Sequence, residues 1–154
     1  MFDGVAEAYD RVRSGYPIEL VERAIARGRL SAGSRVLEIG CGTGLLLLRL
    51  APQCAQYVAT DFSQVSLDYV SQHASALGVS NLTLYRRMAD DFEGIEENFF
   101  DTVILNSVVQ YFPSIDYLVR VLEGAVRCVK PGGNIFVGDL RNLRLLEAFH
   151  TSIE

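Results

Sequence analysis

The chain has 154 residues, enough for one domain with a buried core. Hydrophobic residues make up 49% and charged residues 21%, and 14 Lys+Arg against 19 Asp+Glu leave a net charge of −5. That balance, with no basic cluster beyond Arg86-Arg87, argues against a nucleic-acid footprint. The longest apolar run, Leu45 to Leu48, is too short to span a bilayer. The opening Met1-Phe2-Asp3-Gly4 lacks the basic and apolar regions of a signal peptide. Cys41, Cys54 and Cys128 show no CxxC spacing, so they make neither a disulfide framework nor a zinc site. A soluble cytoplasmic domain without a metal is expected.

In chain order, Pro17 suits the first turn of a helix ending near Gly28. A first strand is predicted over Arg35–Ile39, then a glycine loop, then an apolar helix after Gly44. A second strand covers Tyr57–Ala59. Ser63 caps a helix from about Gln64 to Leu77, with Leu67, Val70 and Ala74 inward and Gly78 as its stop. Strands three and four fall at Leu82–Tyr85 and Thr102–Leu105. Ser114 caps the next helix, with Ile115, Leu118, Val119, Leu122 and Val126 expected inward. Pro131-Gly132-Gly133 reads as the turn before a fifth strand, Asn134–Val137. Leu143–Ile153 reads as a last helix, with Leu146 and Phe149 on one side. Strand alternating with helix predicts an α/β doubly wound sheet, and the near-continuous apolar runs make it mostly parallel. The C-terminal strand ends then share one rim, where such sheets bind ligands.

Four segments fall on that rim. The run Val36-Leu37-Glu38-Ile39-Gly40-Cys41-Gly42-Thr43-Gly44 is a strand entering a G-x-G-x-G loop, in which glycines permit a tight turn and close backbone approach. A dinucleotide fingerprint wants its third glycine one residue later, and no Gly-Lys-Ser/Thr follows, so a P-loop is excluded. Thr60-Asp61-Phe62 closes the second strand; Asp61 is placed either to accept ribose hydroxyls or to cap the next helix. Met88-Ala89-Asp90-Asp91-Phe92 offers an acid for an exocyclic amine, or else a solvated acidic turn. Asn106, Ser107 and Gln110, with Tyr111 and Phe112, make a mixed polar and aromatic wall. Phe112 is expected in the core, and Tyr111 in either place. His73 and His150 are the only histidines, and neither forms a nucleophile–base set. Cys41 reads as a small loop residue.

Together these words resemble class I S-adenosylmethionine-dependent methyltransferases, over Arg35 to about Phe149. The match includes Asp101-Thr102-Val103 and Lys130-Pro131-Gly132-Gly133. A closer similarity is to methyltransferase domains of nonribosomal peptide and polyketide synthetases. It is carried by Leu37–Leu46, Thr60-Asp61-Phe62-Ser63, Ala89–Ile95, Asn106–Pro113 and Val137-Gly138-Asp139. The opening, through Tyr9-Asp10-Arg11-Val12-Arg13-Ser14-Gly15-Tyr16-Pro17, looks instead like the leader of free-standing small-molecule methyltransferases.

The resemblance implies a Rossmann-like sheet in the order 3-2-1-4-5, with S-adenosyl-L-methionine as cofactor. It implies one domain, 1–154, with a helical cover over 1–30 and a cofactor-binding core over 34–154. The sixth and seventh strands of the family would be missing. It places Gly40, Cys41, Gly42 and Gly44 beside the methionine part, with Glu38 accepting from its amino group. Asp61 and Phe62 would meet the ribose end, and Asp90, with Asp91 one residue of register away, the adenine end. Asn106 and Ser107 line the wall, and Tyr9, Arg13 and Tyr16 reach in from the leader. The acceptor would be small or carrier-bound, and the absence of a clear base favours nitrogen. Three readings compete: an active methyltransferase, a truncated module that binds the cofactor without turnover, and a nicotinamide-dependent oxidoreductase.

Overall fold

The computed structural model describes residues 18–140. Tyr9, Arg13, Tyr16, His150, the expected last helix and the question of further strands lie outside them. Helix α1 (Ile18–Gly28) leads to strand β1 (Arg35–Ile39). A short helix α2 (Leu47–Leu50) and a 3-10 turn (Ala51–Gln53) carry the chain to β2 (Gln56–Asp61). Helix α3 (Gln64–Ala76) then leads to β3 (Leu82–Arg86). After β4 (Phe100–Asn106) come a second 3-10 turn (Val109–Tyr111), helix α4 (Ile115–Cys128) and β5 (Val129–Gly138). All neighbouring strands are parallel, in the order β3-β2-β1-β4-β5, as the sequence implies. The chain leaves β1 toward β2 on one side and later returns to β4 on the other. The loops after β1 and β4 therefore diverge and open a crevice at their C-terminal ends.

Side-chain alternation divides the core into two layers. Val36, Tyr57, Ala59 and Ile104 face Val21 of α1, Leu47 and Leu50 of α2, and Leu67 and Val70 of α3. Leu37, Ile39, Val58, Val103 and Leu105 face α4 through Tyr117, Val121, Ala125 and Cys128. The Thr102 hydroxyl donates to the Gly28 carbonyl (2.9 Å), tying the C-terminal end of α1 to β4. Ser63 and Ser114 cap α3 and α4 as expected, accepting from the Ser66 and Tyr117 amides at 3.3 and 3.2 Å.

Two local expectations need correction, and a third is met in shortened form. The apolar helix expected after Gly44 is present as the single turn α2, and Pro52 sits in the 3-10 turn that ends it. Helix α4 turns a different face inward. Ile115 (69% exposed), Val119 and Val126 (60% exposed) look outward and Leu122 is half-buried, while Tyr117, Val121, Gly124, Ala125 and Cys128 are buried. Small residues decide this, because Gly124 lies against the Phe92 ring, where an added Cβ would overlap it. The fifth strand also starts earlier, at Val129. Pairing shifts from Phe100↔Val129 to Thr102↔Asn134, so Lys130–Gly133 bulge opposite Asp101, with Gly132 at φ +79°.

The bulge seats the Lys130 ammonium on Asp101, which also accepts from the Arg35 amide at 2.7 Å. Burial opposes ionisation of Asp101, but the Lys130 and Arg35 contacts outweigh it and lower its pKa. This cluster braces the N-terminal ends of β1 and β4, opposite the crevice.

Candidate functional site

Glu38 is the next-to-last residue of β1, on the layer that faces α1–α3. Its carboxylate is buried and accepts from the Tyr57 hydroxyl at 2.8 Å. Burial pushes its pKa up to about 7; the Tyr57 hydrogen bond pulls it down, and nearby Asp61 adds to the rise.

The glycine loop follows, and its three glycines serve different ends. At Gly40 (φ +73°) a Cβ would meet the Val108 side chain at 2.5 Å, and at Gly44 (φ +77°) it would meet Val70 at 2.9 Å. These two are packing requirements. At Gly42 an added Cβ meets no protein atom within 4 Å, and this residue lines the crevice. Gly44 lies behind the wall.

The loop amides turn inward, contrary to the expectation that they approach a ligand. Gly40 and Cys41 both donate to the Thr60 carbonyl (2.8 and 3.0 Å), and Gly44 donates to the Cys41 carbonyl (2.9 Å). The Gly42 amide donates to Asp61 Oδ2 at 2.8 Å, while Asp61 Oδ1 accepts from the Ser63 amide at 2.9 Å. Asp61 therefore ties the loop to the start of α3, although the capping side chain itself is Ser63. A carboxylate has about four acceptor sites, so hydroxyl groups can still be accommodated.

The crevice encloses about 500 Å3, within the range of small-ligand sites. Its wall brings together Glu38, Gly40, Cys41, Gly42, Asp61, Phe62, Asn106 and Ser107 from three strand ends. Phe112, expected in the core, lines it too while lying 5.0 Å from the Tyr117 ring. Tyr111 also lines it and is exposed. Cys41 is buried, and burial with the Glu38 and Asp61 charges keeps its thiol protonated. His73 sits on α3, stacked on Tyr69 and 2.8 Å from the Tyr69 carbonyl, away from the wall.

The corner after β3 is formed by Arg87, Met88 and Ala89. Asp90 turns to Arg120 of α4 (3.1 Å) and to the Tyr117 hydroxyl, and its side chain is 25% exposed. Asp91 is 48% exposed, lies 3.8 Å from Arg87, and accepts from the Glu93 amide at 3.0 Å. The Arg87 guanidinium donates to the Glu93 carbonyl at 2.7 Å, so its charge leans toward this acidic turn. Sequence reasoning missed Arg87 and Tyr117 as wall residues. Arg87 follows the last residue of a rim strand, which is a usable signal; Tyr117 reaches the wall only through the placement of α4.

The field of this crevice suits a cation with hydroxyl groups. Two buried carboxylates line it, and the Gly40, Cys41, Gly42 and Gly44 amides are spent inside the protein, which disfavours a pyrophosphate at the glycines. Residues 36–133 match the methyltransferase domain family, and the chain belongs to it. Its fold is that of the S-adenosylmethionine-dependent methyltransferases. The solved structure of one described as such a putative enzyme, from Methanococcus maripaludis, superposes with a TM-score of 0.77. The two are 21% identical, over 99% of this chain and 71% of that one. Among curated proteins, chondramide synthase cmdD of Chondromyces crocatus is 56% identical over 87% of this chain. The probable non-canonical nonribosomal peptide synthetase CymA of Salinispora arenicola is 40% identical over 91%. This chain spans only 3% and 2% of those two proteins. The resemblance read from the motifs therefore holds. The cofactor of the class is S-adenosylmethionine, and the residues present fit it: carboxylates for its cationic and hydroxyl groups, and open space above Gly42.

Proposed function

We propose that the chain transfers a methyl group from S-adenosylmethionine to the amine of a small or carrier-bound aminoacyl acceptor, in peptide assembly of the nonribosomal kind. The observation that carries this reading is the pair of buried carboxylates, Glu38 and Asp61, beside a glycine loop whose Gly40, Cys41, Gly42 and Gly44 amides are taken by protein oxygens. Similarity to the two synthetases supports the setting. When bound, the cofactor supplies a methyl group on a sulfonium, electrophilic enough for a neutral amine to attack without a base.

The chain's own residues bind, orient and exclude water. Glu38 accepts from the amino group of the methionine part, backed by Tyr57. Asp61 accepts the ribose hydroxyls while its amide contacts hold the loop, and Phe62 and Met88 are the apolar cover at the mouth. Asn106 and Ser107 close the β4 side. For the adenine end Asp90 is preferred to Asp91. Neither acid is part of the crevice wall, but Arg120 and Tyr117 hold Asp90 next to the wall residue Ala89, whereas Asp91 serves the turn toward Glu93. Arg13 and Tyr16 are assigned to the methionine end from the leader. No described histidine is placed to take a proton from an acceptor, which favours nitrogen over oxygen or carbon.

The test is turnover of the full chain with S-adenosylmethionine and N-acetylcysteamine thioesters of amino acids. The expected products are S-adenosylhomocysteine and the N-methyl thioester. Methyl transfer to carbon or oxygen acceptors alone would overturn the nitrogen assignment.

A further inference from the structure

We infer that Tyr57 is a positioning residue for the cofactor: its hydroxyl fixes one oxygen of Glu38 so that the other meets the amino group, and Glu38 gives up a proton when that group binds. The inference rests on the reading above, in which Glu38 accepts from the methionine part. Glu38 pairs with Ala59 across β1 and β2, and Tyr57 lies two residues before Ala59. That step is about 6.6 Å along a strand, and the phenol ring spans it to put its hydroxyl 2.8 Å from Glu38 Oε2. Tyr57 is fully buried, and this is the one hydrogen bond of its hydroxyl among the described residues. Burial first, and then the Glu38 charge, hold the hydroxyl protonated, so it stays a donor.

The Glu38 carboxylate is divided between two tasks. Oε2 is committed to Tyr57, whereas Oε1 has no hydrogen bond to any described residue. Glu38 lines the crevice, so Oε1 is the oxygen left for a ligand. The last torsion of a glutamate side chain is soft and roughly two-fold, so a carboxylate held at neither oxygen turns readily. The Tyr57 bond stops that rotation. A phenylalanine at 57 would fill the core as well, but would leave a buried oxygen unpaired.

The surroundings make the pair sensitive to protons. Tyr57 and Asp61 approach the carboxyl from β2, and Cys41 from the loop after β1. Ala59 and Ile104 flank Glu38 in the sheet, and Cys54 is the further titratable group near Tyr57. The helices of this layer present apolar side chains, Val21 of α1, Leu47 of α2, and Leu67 and Val70 of α3. Arg87, the one cation among the described wall residues, is turned to Glu93. Burial therefore keeps the carboxyl neutral up to about pH 7 in the free protein, with Tyr57 opposing that rise and Asp61 adding to it. An ammonium group arriving at Oε1 favours the carboxylate. The Glu38 O–H bond then breaks, its proton goes to solvent, and the ammonium keeps its three hydrogens. Cofactor affinity falls as pH drops through about 7.

The experiment titrates the full chain with S-adenosylhomocysteine, which carries the same amino group, between about pH 5.5 and 7. Alpha-amino groups ionise near pH 8, at about 7.7–8.0, and keep their proton in that window. Calorimetry in buffers of different ionisation enthalpy counts the protons released. Wild-type protein should release close to one proton per ligand near pH 6, and its affinity should fall about tenfold from pH 7 to 5.5. Tyr57→Phe keeps the ring, and a thermal melt checks its fold. It should bind about tenfold more weakly at pH 7. The midpoint of its pH profile should move upward, because the bond it removes lowers the Glu38 pKa. Glu38→Gln should bind with no proton release, a count that does not depend on the Tyr57 variant. Methylthioadenosine lacks the amino group and should show neither the release nor the Tyr57→Phe loss. Three results would each overturn the inference and leave the cofactor reading standing: binding by wild-type protein without proton release, release that survives in Glu38→Gln, or a Tyr57→Phe profile that matches wild type. A folded wild-type chain that binds S-adenosylhomocysteine at no pH overturns the reading and the inference together.

Discussion

Glu38 holds a carboxyl group that is almost wholly buried, and its pKa of about 7 sets a stability profile. The native value lies above the unfolded value of 4.5, so the folded chain binds more protons than the unfolded chain between those two pH values. Stability from this residue is complete below about pH 4.5 and is lost as pH rises through 7. The full loss is on the order of 3 kcal/mol, at about 1.4 kcal/mol for each pKa unit. Glu38→Gln keeps an acceptor for Tyr57 and removes the charge. In the absence of cofactor it should be more stable than wild type at pH 8, by about 1–3 kcal/mol, and close to it at pH 4.5. Urea unfolding at the two pH values measures this, and an equal gap at both would contradict a buried charge at Glu38. Asp61 is tested by cofactor affinity. Asp61→Ala removes a charged acceptor worth roughly 1.5–3 kcal/mol, about a tenfold to hundredfold weakening. A change below twofold would leave Asp61 as the tie between Gly42 and Ser63 alone.

Among the elements, the glycine loop and α4 carry separable consequences. Gly44→Ala drives a methyl group into Val70 and strains a left-handed backbone, so it should cost about 1–3 kcal/mol of stability. Gly42→Val projects into the crevice from a left-handed backbone (φ +53°), so it should lower stability through backbone strain and also block cofactor binding. Undiminished binding by a folded Gly42→Val protein would remove Gly42 from the site. Gly124→Ala forces the Phe92 ring off α4 and should destabilise by about 1–3 kcal/mol. It should also weaken cofactor binding, because Phe92 anchors the segment that carries Ala89 and Asp90. Thermal melts with and without S-adenosylhomocysteine separate the two effects.

The caps at Ser63 and Ser114, the strand segments and the Gly40–Gly44 loop were legible because each rests on local chemistry. The inward face of α4 was not, because Gly124 and Ala125 carry little hydrophobic signal yet set the closest approach. Nor was the bulge at Lys130–Gly133, since a turn signature does not say whether the chain turns or bulges. The inward turn of the loop amides depends on Thr60 and Asp61, about twenty residues away in sequence, and only the folded sheet brings them together.

At the scale of the whole molecule, one topological fact organises the rest. The sheet order brings the ends of β2, β1, β4 and β5 onto one rim, and with them Asp61, Glu38, Ser107 and Asp139. The opposite end is braced by Asp101, Arg35 and Lys130. Binding and bracing are thus kept at opposite ends of the same strands, and substitutions at one end should leave the other intact. The central claim is that this rim holds S-adenosylmethionine. Isothermal titration of the full chain with S-adenosylmethionine, S-adenosylhomocysteine and NAD tests it most directly. The account predicts saturable one-site binding of the first two and no heat from NAD. Binding of NAD, or a folded chain that binds neither adenosyl compound, would contradict it.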